Sequence, residues 1–395
     1  MNPVIDNYLQ LAQTAKEAGN NAQCEQYCNR ILELESNNAL AWALKGSAAG
    51  WDSSLSSLRI EEMLVCFGTA VNCALNAEIG QSIKEMADAD YRSVVLGLFA
   101  LQCDRFQKWP DADEAAAFAK LFSAATSAAN NMMTHFGIAL PFMAAPEKLY
   151  APLAEMVSNC SIAVEKAIRQ EYARSNDGYP TDYDFTRLLE REGNCYTVVA
   201  AAIEMAPNDD EGNIGRWQSM INNHAYCISA KSYESSYGEY TGWSYFVSKT
   251  LSANAIASRR TTIADLQRKI DAARERIRQK RNSDYWSEHA EYRQRLEREK
   301  RELMDEKRKL EAERVRCQTS DSITQVKNEI SVLEARKAST SFLALKEKKN
   351  LNVQIEDKRT ALGKMQSTLL EPIDERLKKI DQRVQSINTE LTRDR

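Results

Sequence analysis

Apolar side chains recur at intervals of three and four residues through most of this 395-residue sequence. Cys24, Cys28 and Ile31 show this spacing near the N-terminus, and Ile380 and Val384 show it near the C-terminus. The spacing places side chains on one face of an α-helix. Only 14 glycines and 8 prolines interrupt the chain, which is too few for the many turns of a sheet protein. We therefore predict an all-α fold.

The first region, residues 1–80, is predicted to form helical hairpins. Gly19-Asn20 and the polar segment 36–38 separate runs with apolar stripes, and residues of these types are typical of turns. Trp42 and Gly46 lie four residues apart on the run that follows the second turn. We expect these runs to be short helices that pack in pairs.

The segment AWALKGSA, residues 41–48, resembles the first helix of a tetratricopeptide repeat, in which a Trp and a Gly lie four residues apart. Residues 16–38 resemble the second half of the preceding repeat, with Cys24 and Cys28 at the family's small and aromatic positions. Compared with the family pattern, the repeat that begins at Ala39 carries about five extra residues in WDSSLSSL. We therefore expect an enlarged loop between its two helices.

The resemblance implies stacked hairpins whose first helices line a concave groove, and in the family such a groove commonly receives a peptide or a partner helix. Carried onto this chain, the residues expected to line that groove are Leu9, Gln13, Lys16, Ala43, Ser47 and Trp51. Trp51 is the expected anchor, because large aromatic side chains often dominate binding energy. The alternative is that Trp51 is buried beneath the enlarged loop.

Residues 81–250 are predicted to be a further α-helical packing region, because a repeat array needs about three units to bury a continuous core. A degenerate hairpin is expected near 184–235, where Cys195, Val199 and Ala202 repeat the helical spacing and Pro207 marks a bend.

Residues 251–395 are predicted to form a charged coiled coil, because a narrow apolar stripe is flanked there by alternating charges. Breaks in the stripe are expected near 282, 320, 340 and 371, the last because Pro372 suits the start of a helix. Such breaks favour an antiparallel stalk over one straight rod, although the same stripe would also suit pairing between chains. This layout resembles that of uncharacterised bacterial proteins that join repeats to a coiled coil.

Charge divides the chain into two parts. Residues 1–250 carry 18 basic and 31 acidic side chains, whereas residues 251–395 carry 34 basic and 25 acidic ones. A basic segment can bind nucleic acid or an anionic membrane surface. Glu and Asp interleave with Arg and Lys through residues 293–316, however, and this arrangement favours ion pairs along a solvated helix.

Residues capable of catalysis or metal binding are sparse in the sequence. His224 and Cys227 could share a helix face, but no third group that would orient the histidine is evident. Cys24 and Cys28 lack the second ligand pair that a zinc site needs, so core packing is the favoured interpretation. We expect no enzymatic activity, no cofactor and no bound metal.

The first ten residues, MNPVIDNYLQ, have neither the basic leader nor the apolar core of a signal peptide, and no apolar run is long enough to span a bilayer. We therefore expect a cytoplasmic protein with nine reduced cysteines. The sequence predicts a non-enzymatic scaffold that binds a protein or peptide partner. The alternative is a protein that associates with nucleic acid or an anionic membrane through its basic coiled coil.

Overall fold

The computed structural model describes residues 3–237, 244–340 and 344–393, and its fold is all-α. The chain forms two compact units, Met1–Ile277 and Arg278–Arg395. The units divide later than the predicted boundary at 250. The predicted boundary at 80 falls inside a helix, so residues 1–80 do not form a unit of their own.

The helices of the first unit are α1 (Pro3–Glu17), α2 (Asn21–Leu34), α3 (Ala39–Trp51), α4 (Ile60–Asn72), α5 (Ala77–Lys108), α6 (Ala112–Phe136), α7 (Glu147–Arg174), α8 (Asp182–Met205), α9 (Asp210–Ser229) and the first part of α10 (Ala253–Glu288). Short 3-10 turns lie at Pro141–Ala144 and Ser175–Gly178.

Polar side chains fix where many of these helices begin. An Asn, Asp or Thr oxygen just before a helix accepts a hydrogen bond from a backbone N–H of the first turn, which otherwise has no partner. Caps of this kind precede α2, α3, α5, α6, α8 and α9, from Asn20, Asn38, Asn76, Asp111, Thr181 and Asp209. The turns that the sequence predicted at Gly19-Asn20 and 36–38 are among these helix starts.

Helices α1 to α4 form two consecutive hairpins. Small buried residues join α1, α2 and α3, and Gly46 lets α3 approach α4 closely. A Cβ atom at Gly46 would lie 2.8 Å from the backbone oxygen of Met63, so no larger residue fits there without movement. The main core continues from α4 through α5 to α8, around fully buried side chains such as Tyr91 and Phe118.

Helices α7, α8 and α9 alternate in direction. Ser161 and Arg169 of α7 bond to Cys195 and Glu192 of α8, so residue numbers rise on one helix as they fall on the other. Asn213 and Asn223 of α9 reach the carbonyl oxygens of residues 206 and 192 in the same reversed order. Helices α7 and α9 therefore run in the same direction, and both pack against α8.

The end of the predicted hairpin near 184–235 is wrong. Helix α9 ends at Ser229, and β1 (Ser232–Tyr237) then pairs with β2 (Ser244–Lys249) in an antiparallel hairpin. The segment lacks the apolar stripe of a helix, and its tyrosines favour a strand. Residues 238–243 lie outside the described residues.

The first part of the predicted coiled coil belongs to the helical unit instead. Leu266, Ile270 and Ala273 of α10 are buried in one cluster with Trp217 and Met220 of α9. The interpretation of this stripe as a coiled-coil seam is wrong, because the apolar face of the helix packs on the preceding helices. This contact explains why the unit extends to Ile277.

The second unit contains α11 (Ala290–Gln318), α12 (Asp321–Ser339) and α13 (Leu345–Thr392). Helix α13 runs antiparallel to α11, because Glu299 and Arg314 of α11 pair with Arg383 and Asp374 of α13. It also runs antiparallel to α12, because Glu329 and Arg336 of α12 pair with Lys358 and Glu347 of α13. Interruptions lie at 319–320 and between 339 and 345, and residues 341–343 of the expected bend lie outside the described residues.

Two of the predicted breaks are wrong. Helix α10 continues through 282 to Glu288, because polar residues on an exposed helix face weaken a helix only slightly. Helix α13 contains Pro372 in its interior. Proline there removes one helical hydrogen bond at a cost of about 3 kcal/mol. Burial of Ile373 and Ile380 against Leu310, on the next turns, offsets that loss.

Candidate functional site

The groove predicted on α1 and α3 is closed at its centre. Ala43 and Ser47 are fully buried, so their assignment to an open groove is wrong. The physical reason is α5: its Ile83 and Ala87 share the main core with Ala43, and a Cβ atom at Gly50 would meet Val94 at 3.4 Å. The small side chains of α3 admit a helix of the same chain.

The remaining predicted groove residues lie at the edge of this closed face. Trp51 is 50% exposed and donates a hydrogen bond from Nε1 to Asp90 Oδ1 at 3.2 Å. It is therefore not buried beneath the loop. Lys16 Nζ lies 3.7 Å from the other oxygen of Asp90. Gln13 is exposed and Leu9 is half-buried. The chain's own Asp90 thus engages both Trp51 and Lys16.

An open groove lies instead between α7 and α9. One section has a volume of about 650 Å³ and follows α7 from Ile162 to Ala173 and α9 from Gly215 to Tyr226. A neighbouring section of about 530 Å³ shares Ile162 and Gly215 and extends toward the start of both helices. We call the two sections together the α7–α9 groove. Its α7 wall spans residues 151–173, or roughly 33 Å at 1.5 Å per residue.

A buried charge network lies beside the first section. Arg169 donates from Nε and one Nη to the two oxygens of Glu192, at 2.7 and 3.0 Å, and from the same Nη to Glu165 Oε2 at 3.2 Å. Asn223 donates to the Glu192 carboxylate and, at 2.9 Å, to its backbone oxygen. Glu192 is fully buried, and a paired geometry of this kind is what makes a buried carboxylate tolerable.

Glu165 is the incompletely paired member of this network. The residue is 4% exposed and lines the groove, and its Oε1 accepts no hydrogen bond from the described residues. Burial, and secondarily the negative charge of Glu192, raise the pKa of Glu165 to about 7, while Arg169 opposes the rise. A buried carboxyl that titrates near neutral pH is common at functional sites.

Arg216 is a second incompletely paired residue, in the other section. Its side chain is 4% exposed, and one Nη donates to Asp209 Oδ2 at 2.9 Å and to Asn213 Oδ1 at 2.8 Å. Its Nε is buried and donates to none of the described residues. The groove therefore combines an unpaired acceptor and an unpaired donor.

His224 and Cys227 do not form a nucleophilic pair. Cys227 is fully buried, and burial raises the pKa of its thiol to about 11, so it is protonated at neutral pH. The Nδ1 atom of His224 lies 3.0 Å from Arg259, and burial together with that positive charge lowers the pKa of His224. A neutral histidine beside an arginine does not activate a buried thiol.

The described part of the chain contains neither a cluster of metal-ligating side chains nor a helix that could cross a membrane. Among those residues, no group of three His, Cys, Asp or Glu side chains is placed to hold a metal ion. Cys24 and Cys28 are fully buried in the cluster that joins α1, α2 and α3. No helix of residues 3–237, 244–340 and 344–393 combines the length and apolarity needed to cross a membrane.

Several basic residues of the second unit have acidic partners on neighbouring helices. Lys307 and Arg314 of α11 pair with Asp381 and Asp374 of α13 at 2.6 and 2.7 Å. Exposed pairs of this type contribute little stability, about 0–1 kcal/mol each. In these pairs the cationic groups already contact carboxylates, and a nucleic acid or an anionic membrane would have to replace those contacts.

Sequence reasoning missed the α7–α9 groove. Glu165 and Arg216 lie among many other charged residues, and neither has a spacing that distinguishes it. The one available signal was position: Glu165 lies three residues before Ile168, and Arg216 lies four residues before Met220, so each shares a helix face with a buried apolar residue. A charged residue on an apolar helix face is predicted to be buried, but only the packing of the three helices shows which hydrogen bond that residue lacks.

No protein-family model matches the chain, and no curated protein matches it. A solved cryo-electron microscopy structure of a de novo designed 16-helix transmembrane nanopore aligns over 98% of this chain and 99% of its own, at 10% sequence identity and a TM-score of 0.16. A likeness at that TM-score carries no information about the function of this chain.

Proposed function

We propose that this chain is a non-enzymatic, cytoplasmic, bacterial adaptor that holds a segment of a partner protein in the α7–α9 groove. The observation that carries the proposal is the groove itself, which lies between two helices of like direction and is lined by buried charged residues with incomplete pairing. Concave sites with a few converging polar groups are where proteins usually bind ligands.

The resemblance to tetratricopeptide repeats supports this role. Gly46 lies where the family has its glycine, and only a residue without a Cβ atom fits against Met63 there. The α1–α3 and α7–α9 sets both place two like-directed helices beside one antiparallel helix. In the family, like-directed first helices line the binding groove, and in this chain α7 and α9 correspond to such helices.

The helices after Ile277 supply the second part of the proposed adaptor. We assign them as a coiled-coil arm, because Ile373, Ile380 and Ile387 of α13 are buried at intervals of seven residues. Such an arm would allow self-association or contact with another part of an assembly.

The test fills the groove without disturbing the fold. Gly215 borders both sections of the groove, and a Cβ atom there would meet nothing within 4 Å. A Gly215→Trp variant therefore places a large side chain in open space. Partners captured by the immobilised full chain from a lysate of the source bacterium, and identified by mass spectrometry, should bind this variant at least tenfold more weakly.

The matched control is Gly97→Trp. Gly97 is also an exposed helical glycine with open space at its Cβ position, but it lies on α5, away from the groove. The proposal expects this variant to retain every partner of the wild-type chain. Equal capture by wild type and Gly215→Trp would refute it.

The alternative function rests on the excess of basic residues in 251–395, which carry 34 basic and 25 acidic side chains. It predicts that the full chain binds duplex DNA, RNA or anionic vesicles at 50 mM salt, on the order of tenfold or more tightly than at 200 mM. Absence of binding at the lower salt concentration would remove it.

A further inference from the structure

Two buried charged residues in the α7–α9 groove each have one polar atom for which the described residues supply no hydrogen-bond partner. Glu165 has an unpaired acceptor, Oε1, and Arg216 has an unpaired donor, Nε, and each residue is 4% exposed. An unmade hydrogen bond to a buried charged group is costly. A ligand that completes either bond would recover part of that cost.

The two residues lie on opposite walls of the groove, close to its middle. Ile162 of α7 and Gly215 of α9 both border the two sections, so they lie at the same level. Glu165 is three residues beyond Ile162, and Arg216 is one residue beyond Gly215. The offset along the groove is therefore two residues, or roughly 3 Å.

The neighbouring groups leave Glu165 available for a new partner. Arg169 donates hydrogen bonds to the carboxylates of Glu165 and Glu192, and Asn223 donates to the carboxylate of Glu192. The Ser219 hydroxyl and the Asn223 amide lie near enough to favour the charged form of Glu165, yet neither makes a well-formed hydrogen bond to Oε1. Lys166 at the exposed rim carries the same sign of charge as an incoming cation. The contact left for a ligand cation is therefore Oε1 of Glu165, and the positive charge of Lys166 opposes the approach of that cation from the rim.

We infer that the groove binds a partner helix that carries a Lys or Arg and, three or four residues away on the same face, an Asp or Glu. The basic side chain completes the contacts of Glu165, and the acidic side chain completes those of Arg216. Side chains at this spacing on a helix have Cβ atoms about 5–6 Å apart, and their length covers the remaining distance to the two walls. This inference rests on the proposed function and specifies the chemistry of its partner.

The test is a selection of peptides on the immobilised full chain. A phage library of random 16-residue peptides with helix-forming flanks is selected in parallel on wild type, Glu165→Gln and Arg216→Gln. Wild type should enrich peptides with a basic and an acidic residue three or four positions apart at least tenfold over the unselected library. Glu165→Gln should lose only the basic preference, and Arg216→Gln only the acidic preference.

Two further variants keep the outcome interpretable. Glu204→Gln changes an exposed carboxylate on α8, outside the groove, and should keep both preferences. Arg216→Met also removes the charge, replaces Arg216→Gln if circular dichroism shows that the latter does not fold, and should likewise lose only the acidic preference.

The results separate the inference from the proposed function. Enriched peptides without the charge pair, or with a pair that survives both substitutions, would overturn the inference and leave the adaptor proposal intact. A selection that yields no binding peptide would count against both.

Discussion

The α1–α3 and α7–α9 sets share one arrangement but differ in what covers them. In each, two like-directed helices flank a third of opposite direction. On α3 the side chains that face inward are small, Ala43 and Ser47 among them, and α5 packs over them until both are fully buried. On α7 and α9 the corresponding face carries Glu165 and Arg216, and a groove remains.

The difference shows how side-chain chemistry decides whether such a face is core or binding surface. Alanine and serine allow a helix of the same chain to approach closely, and burial of apolar area then stabilises the fold. A buried carboxylate and guanidinium cannot be covered by an apolar helix without leaving charges unpaired. Such a face stays open for a ligand that supplies the missing contacts.

The largest expected effect is the loss of folding stability that the buried charge of Glu165 causes as pH rises. Its pKa is raised to about 7 from an ordinary value of 4.5, so the folded state holds a proton that the unfolded state has lost between these pH values. Stability should therefore fall as pH rises from 4.5 to 7 and level off above it. Relative to Glu165→Gln, wild type should lose about 3 kcal/mol across that range.

Urea titrations at pH 5 and pH 8, followed by circular dichroism, measure this difference. Glu204→Gln is the control and should follow wild type at both pH values. A Glu165→Gln variant with the same pH dependence as wild type would show that Glu165 is not a costly buried charge.

A smaller effect is expected from the tight packing of the N-terminal hairpins. Gly46→Ala should destabilise the first unit by about 2 kcal/mol, because the new Cβ atom would lie 2.8 Å from the backbone oxygen of Met63. Gly97→Ala should instead stabilise it by about 0.5–1 kcal/mol, since alanine favours helix and the site is open. The shift in thermal unfolding temperature should have opposite signs for the two variants.

Partner binding should depend on pH through Glu165. The polar and titratable groups facing it come from three helices: Lys166 and Arg169 of α7, Glu192 and Cys195 of α8, and Ser219 and Asn223 of α9. With a pKa near 7, Glu165 is mostly charged at pH 8 and mostly neutral at pH 6. A selected peptide should therefore bind about tenfold more tightly at pH 8, or about 1.4 kcal/mol.

Isothermal titration at both pH values measures that ratio. Glu165→Gln should bind the peptide equally at pH 6 and pH 8. A tenfold dependence that persists in this variant would assign the titration to another group.

The smallest effect should come from Trp51. Because Trp51 lies at the edge of a face already covered by α5, Trp51→Ala should change peptide affinity less than twofold, and stability by about 1 kcal/mol through the lost contact with Asp90. Fluorescence anisotropy with a labelled peptide measures the affinity. A tenfold loss of peptide affinity in Trp51→Ala would indicate that the peptide binds on the α1–α3 face instead.

The helices could be predicted from the sequence, whereas the site could not. Periodic apolar residues and Asn or Asp caps are local features, and they located the hairpins of the first region and the long helices of the last. Pro372 led to the wrong prediction of a helix start, because one proline does not indicate that Ile373 and Ile380, which follow it on the same helix, are buried. Ala43 and Ser47 were wrongly predicted to line an open groove, because the burial of a small residue depends on a helix 40 residues away.

The buried, incompletely paired environment of Glu165 could not be predicted from the sequence for a related reason. Its environment depends on Arg169 from its own helix, Glu192 from the next and Asn223 from a third. Local spacing predicts the face on which a residue lies, but not which distant groups converge on it. Charge patterns in the second region were more informative, because pairs such as Glu299–Arg383 follow from two complementary helices.

Hydrogen exchange on the full chain, free and saturated with a selected peptide, tests the location of the partner site most directly. We predict slower exchange in residues 151–173 and 209–226 on binding, with exchange in residues 9–16 and 40–51 unchanged. Protection of the latter segments, with no change along α7 and α9, would contradict the assignment of the α7–α9 groove as the binding surface.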